Sequence, residues 1–111
     1  MKPTTTRKAW SITTPLAQGE MKARLDAAFG KAWSWGDSAV HGDYLGGTIT
    51  PEAVVRIYEI EERFVIELRF FSTAGSGAAA AEQLAQAEAM TLAKVLPAIA
   101  ATDVQDAETM D

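Results

Sequence analysis

Cysteine is absent from the 111-residue sequence, and His41 is its single histidine. The lack of cysteine excludes disulfides, thiolate metal sites, iron–sulfur clusters and a cysteine nucleophile, and it is typical of proteins in a reducing cytoplasm. No run of apolar residues approaches the roughly 18 that a membrane-spanning helix needs. The basic start, MKPTTTRKAW, lacks the apolar centre of a signal peptide. We therefore expect a cytoplasmic protein without membrane association.

Basic residues are outnumbered by acidic ones, ten to fifteen, which gives a formal net charge of −5. The imbalance lies in residues 32–111, where thirteen acids face four bases, whereas residues 1–31 hold six bases and two acids. Neutralised phosphates supply most of the affinity of proteins for nucleic acids. An acidic chain without a dense basic stripe is a poor nucleic-acid binder, so we expect no direct nucleic-acid partner.

Length and composition favour one domain with a single core, because 48% of the residues are hydrophobic and the chain is too short for two domains. We assign that domain to residues 9–101. Residues 1–8 are predicted to form a flexible basic arm. Residues 102–111 carry four acids and no base, which predicts an acidic disordered tail.

The first elements are predicted to be a strand at residues 9–13 and a helix that follows Thr14-Pro15. Met21 and Leu25 are four residues apart and share the apolar side of that helix. Gly30 is positioned to end it in the left-handed conformation.

A β-hairpin is the clearest feature of the sequence. Residues 63–71 alternate apolar and polar side chains with the period of a half-buried strand. Antiparallel pairing with residues 53–60, through a turn at Glu61-Glu62, places apolar side chains on one face and a charge pair on the other. The predicted pairs are Ile57 with Ile66, Val55 with Leu68, and Arg56 with Glu67.

Residues 78–101 are rich in alanine and predict a second helix. Pro97 removes a backbone donor, so this helix should kink or end near Leu96. The stripe predicted to face the sheet consists of Ala85, Ala89, Leu92, Leu96 and Ile99.

These elements indicate an α+β fold, with an antiparallel sheet of about four or five strands and two helices packed on one face in the order β-α-β-β-β-α. This arrangement buries both helical stripes and the apolar strand face together. The expected core contains Leu25, Phe29, Ile57, Ile66, Leu68, Leu92 and Leu96.

Residues 34–43 contain the residue types of a metal site or a catalytic triad. Asp37, His41 and Asp43 could ligate a metal, and Ser34 or Ser38 could act as a nucleophile. A triad, however, requires groups brought together from separate elements, and one histidine among turn residues is a weak metal site. We therefore expect no catalytic residue and no metal, and a protein that is not an enzyme.

Residues 75–80 formally match the G-x-G-x-x-A pattern of dinucleotide-binding loops. Such a loop works within a parallel β-α-β unit followed by an acidic residue on a second strand. Only the acidic tail follows this helix, so we interpret the glycines as a flexible connector and expect no cofactor.

The remaining signals are exposed acids and aromatic side chains, which predict a non-catalytic protein–protein interaction module. We expect an acidic protein of the inhibitor, immunity or anti-defence type that binds a basic surface on a partner protein. Tryptophan and tyrosine are enriched at binding hot spots. The candidate interaction residues are Trp33, Trp35, Asp37, His41, Asp43, Tyr44, Glu59, Glu61 and Glu62.

The sequence is compatible with two alternatives. One is a homo-oligomeric structural or assembly subunit, such as a homodimer, in which the second sheet face with Tyr58, Val65 and Phe71 is covered by another copy. The other is a small ligand-binding protein or enzyme with a site near His41.

Overall fold

A computed structural model describes residues 5–39, 42–71 and 77–109 of the chain. The strands are β1 (Thr5–Thr13), β2 (Ser34–Ser38), β3 (Gly42–Thr50), β4 (Ala53–Ile60), β5 (Arg63–Phe71) and β6 (Thr102–Ala107). The helices are α1 (Gln18–Phe29), α2 (Ala78–Met90) and the short α3 (Leu96–Ala98), with a π-helical segment at Thr91–Val95 between the last two.

All six strands form one antiparallel sheet in the spatial order β2-β3-β4-β5-β1-β6. The predicted α+β class and the single domain are confirmed, with six strands instead of four or five. Among the described residues, no helix is long and apolar enough to cross a membrane.

The predicted hairpin is confirmed residue by residue. Strands β4 and β5 are joined by a two-residue turn in which Glu61 has a φ of 58°. Left-handed backbone is uncommon for a residue other than glycine, and it suits the tight hairpin. The observed pairs include Ile57 with Ile66, Val55 with Leu68, and Arg56 with Glu67.

The core lies between the helices and one face of the sheet. In α1, Met21 and Leu25 are fully buried, as the spacing predicts, and Gly30 ends the helix with a φ of 66°. The opposite face of the sheet, which we call the outer face, points away from the helices. The fully buried sheet residues of the core are Ile12, Leu45, Val55, Ile57, Ile66 and Leu68.

The predicted stripe of the second helix is wrong in part. Leu96 and Ile99 are buried, but Leu92 is 45% exposed, and Ala85 and Ala89 are exposed as well. The π-helical segment adds a residue to one turn and therefore shifts the buried face of the helix. The buried positions along this region are Ala80, Ala87, Thr91, Val95, Leu96 and Ile99.

Strand β6 lies inside the segment predicted as a disordered tail, and β1 begins within the predicted arm. The tail strand pairs with β1, and Arg63 holds it in place. The guanidinium of Arg63 binds the Asp103 carboxylate at 2.7 Å and the Ser11 hydroxyl at 2.6 Å. This contact neutralises an acid of the tail and lowers the pKa of Asp103. Residues 1–4 and 110–111 of the predicted arm and tail lie outside the described residues.

Candidate functional site

The sheet brings five acidic residues to one end. Strands β2 and β3 pair so that Asp37 lies directly opposite Asp43. Tyr44 pairs with Tyr58, so the preceding Asp43 lies level with Glu59 on β4. The hairpin turn adds two more carboxylates just beyond Glu59. We call this set the acidic end; its members, all exposed, are Asp37, Asp43, Glu59, Glu61 and Glu62.

Among the described residues, no Lys or Arg side chain forms a salt bridge with a carboxylate of the acidic end. The salt bridges of the described chain lie elsewhere, for example Lys8 with Glu88 at 2.7 Å and Arg63 with Asp103 at 2.7 Å. The acidic end therefore projects uncompensated negative charge into the solvent. Such charge acts over about 8–10 Å at physiological salt.

Trp35 lies beside the acidic end on the edge strand β2. It pairs with Leu45 and is separated from Asp37 by one residue, so both side chains lie on the same side of β2. The indole is 50% exposed, the largest value among the exposed large hydrophobic side chains of the described residues. An exposed aromatic side chain next to unpaired acids can therefore contact a partner directly.

Trp33 does not contribute to this surface, although the sequence placed it among the candidate interaction residues. Its side chain is 1% exposed. The indole packs against Gly47 of β3 and its ring centroid lies 5.6 Å from that of Phe29. Trp33 is therefore a core residue that fixes the beginning of β2.

Asp26 of α1 sets where β2 begins, a role that was not predicted from the sequence. Its carboxylate accepts a 2.6 Å hydrogen bond from the backbone N–H of Trp33 and a 2.6 Å contact from the Lys22 ammonium. The hydrogen bond from Lys22, followed by that from Trp33, lowers the pKa of Asp26. The i,i+4 spacing of Lys22 and Asp26 was the available signal.

Tyr44 lies on the outer face, whereas Asp43 points to the opposite side of the strand. The ring centroid of Tyr44 is 5.2 Å from that of Tyr58, and the Arg56 guanidinium lies 4.4 Å from the Tyr44 centroid. Tyr44 therefore belongs to a different surface from Trp35. His41, also predicted to contact a partner, lies outside the described residues.

The outer face offers less apolar surface than the sequence predicted. Tyr58 is 1% exposed and Val65 is half-buried. Of the three apolar side chains predicted for this face, only Phe71 is exposed, at 38%. Glu67, in the middle of this face, is fully buried, and Arg69 binds its carboxylate at 2.5 Å. A second copy docking on this face would therefore meet the partly exposed side chains of Arg56 and Arg69.

All carboxylates of the acidic end are exposed. Acid–base chemistry uses two carboxylates in different environments within a cleft. Within residues 5–39, 42–71 and 77–109, no group of three or more His, Asp or Glu residues is arranged to hold a metal ion. Compared with known proteins, the chain matches no family model, and no curated protein is significantly similar to it.

Proposed function

We propose that this protein is a non-catalytic interaction module, of the acidic inhibitor, immunity or anti-defence type, that binds a basic surface on a partner protein. The acidic end steers the partner, and Trp35 provides the direct contact. The cytoplasmic location expected from the sequence is part of this proposal.

The cross-strand pair of Asp37 and Asp43 supports the proposal most strongly. Like charges directly opposite each other on neighbouring strands destabilise a sheet. Glu59 extends the row on the next strand, and no described cation offsets any of the three. A basic partner would be attracted by these carboxylates, and its positive charge would reduce the repulsion between them.

Trp35 supports a specific contact in addition to steering. A half-exposed indole buries a large apolar area when it is covered, and tryptophan is enriched among hot-spot residues. Its ring face attracts Lys and Arg cations, which a basic partner supplies. Strand β2 is also the terminal strand of the sheet, and its outer edge has no strand partner among the described residues.

The proposal is tested by identifying a partner and then measuring its affinity for matched variants. The partner is captured from a lysate of the native host on the immobilised full chain, identified by mass spectrometry and purified. Its affinity is then compared for wild type, Trp35→Ala and the double reversal Glu61→Lys/Glu62→Lys. The control is Glu82→Lys/Glu108→Lys, which changes the net charge equally at exposed positions outside the acidic end.

We expect Trp35→Ala and the reversal at Glu61 and Glu62 each to weaken binding by about tenfold or more, the range of hot-spot and charge-pair losses. The control should bind like wild type. Equal binding by all four proteins would contradict the proposal. Capture of the chain only by itself would favour the homo-oligomeric alternative.

A further inference from the structure

A depression on the outer face lies over Gly46 of β3. It has a volume of about 220 Å³, and its lining includes Ser34, Tyr44, Thr48 and Arg56. On a sheet face, a glycine surrounded by larger side chains leaves a hollow one residue wide. The neighbours on the same strand, Tyr44 and Thr48, form its two ends, and Ser34 and Arg56 on the flanking strands pair with Gly46 from either side.

Arg56 is held in a fixed orientation at this depression. Its guanidinium lies 4.4 Å above the Tyr44 ring, and its Nη1 donates a long, 3.4 Å hydrogen bond to the Tyr58 hydroxyl. Stacking on an aromatic ring leaves most guanidinium N–H groups free to donate in the plane of the group. Tyr44 and Tyr58 themselves pack together at 5.2 Å.

Two neighbouring arginines have carboxylate partners, whereas Arg56 makes no salt bridge with any carboxylate of the described residues. Arg63 binds Asp103, and Arg69 binds Glu67. The sequence predicted that Glu67 would pair with Arg56, its cross-strand neighbour. Arg69, two residues from Glu67 on the same strand, binds that carboxylate instead. The guanidinium of Arg56 is therefore available to bind an anion at the depression.

We propose that this depression binds a small oxyanion, namely a single phosphate or carboxylate group. Guanidinium N–H groups form strong, charge-assisted hydrogen bonds with both groups. Ser34 and Thr48 also line the hollow, and a hydroxyl group can donate a hydrogen bond to an oxyanion. The volume of about 220 Å³ is smaller than the roughly 300–1,000 Å³ of pockets for drug-sized ligands, which limits the ligand to a small group.

This site is independent of the proposed partner binding. Arg56 lies on the outer face, whereas Asp43 and Trp35 point to the other side of the sheet. Failure of one proposal therefore leaves the other standing.

The site is tested by titrating the ¹⁵N-labelled full chain with sodium phosphate and, in a separate series, with sodium acetate, at constant ionic strength maintained with sodium chloride. NMR follows the backbone amides of Gly46 and Gly47 and the Nε–H of Arg56. We expect saturable shifts at these signals with at least one anion. Saturation by phosphate alone, by acetate alone or by both identifies the group that the site takes.

Arg56→Gln should weaken the fitted affinity by about tenfold or more, because it removes the charged donor. Arg24→Gln, the same charge change at an exposed position on α1, should leave the affinity unchanged. Thr48→Val, which removes only a hydroxyl, should weaken it several-fold. If Arg56→Gln does not fold, Thr48→Val and Gly46→Ala, which fills the hollow with a methyl group, decide the question.

Shifts that grow linearly with both anions and never saturate would overturn the proposal. Equal affinity in wild type and in folded Arg56→Gln would overturn it as well.

Discussion

A Cβ atom on Gly47 would lie 2.4 Å from Cδ2 of Trp33, so the indole occupies the space that a side chain at position 47 would need. Non-bonded contacts of a Cβ atom are essentially never this short, and three atoms of the indole lie within 3 Å of the added carbon. The glycine of β3 and the tryptophan before β2 therefore form one packing unit. This unit joins the strand that carries Trp35 and Asp37 to the rest of the sheet.

Gly47→Ala is therefore expected to lower the free energy of unfolding by about 1–3 kcal/mol, the range of overpacked core positions. The measurement is chemical denaturation followed by tryptophan fluorescence. Gly19→Ala in α1 is the matched control, since a Cβ there would meet nothing within 4 Å. That control should stabilise the protein by up to about 1 kcal/mol. Equal stability of wild type and Gly47→Ala would show that the indole can move away at no cost.

The hairpin was predictable because two signals in the sequence agreed. The alternation of apolar residues indicated which side chains face the core. The same register also placed Arg56 opposite Glu67 on the other face. The ion pair itself was not predictable, because Arg69, two residues from Glu67 on the same strand, binds the carboxylate. Which of two nearby arginines is bound depends on side-chain geometry that the register does not determine.

The errors at the second helix and at the tail arise from interactions that a local pattern does not contain. Leu92 fits a regular helical stripe, but the π-helical segment Thr91–Val95 shifts the buried face. Strand β6 has no apolar face in its sequence; its backbone pairs with β1, and Arg63 binds Asp103 across forty residues of chain. Glu61 and Glu62 lie at the turn of the predicted hairpin. Asp37 and Asp43 lie at the same end of the sheet because β2 pairs with β3, and the sequence analysis predicts no such pairing.

The helix stripe can be tested by two identical substitutions four residues apart. Leu96 is 6% exposed and Leu92 is 45% exposed. Leu96→Ala should cost about 2–5 kcal/mol of stability, as buried leucines do, whereas Leu92→Ala should cost less than about 1 kcal/mol. Urea denaturation provides both values. Comparable losses for Leu92→Ala and Leu96→Ala would mean that the regular stripe, which contains both residues, faces the sheet.

Asp26 should make stability depend on pH in the acid range. The pKa of Asp26 in the folded protein lies below the ordinary value of 3.8. The ionised carboxylate therefore contributes fully to the free energy of unfolding above about pH 4, and this contribution is lost as the pH falls through the lowered pKa. Asp26→Asn removes this dependence. The difference in unfolding free energy between wild type and Asp26→Asn should therefore be largest near neutral pH and should shrink below about pH 4. A difference that stays constant down to pH 2 would contradict the role of the carboxylate.

Arg63 should control the docking of β6. Arg63→Gln removes the contact with Asp103 while leaving the β1–β5 pairing intact, so the amides of β6 should exchange with solvent several-fold faster. Hydrogen exchange measured by NMR compares these amides with those of β4, which serve as the internal control. Unchanged exchange in β6 would show that strand pairing with β1 is sufficient without Arg63.

The central claim, that negative charge at one end of the sheet drives binding to a basic partner, is tested most directly by the association rate as a function of ionic strength. Stopped-flow mixing with the purified partner should give a rate for wild type that falls steeply as salt rises. For Glu61→Lys/Glu62→Lys the rate should be lower, by about tenfold or more at low salt, and its salt dependence nearly flat. Identical rates and salt dependences for the two proteins would contradict the claim.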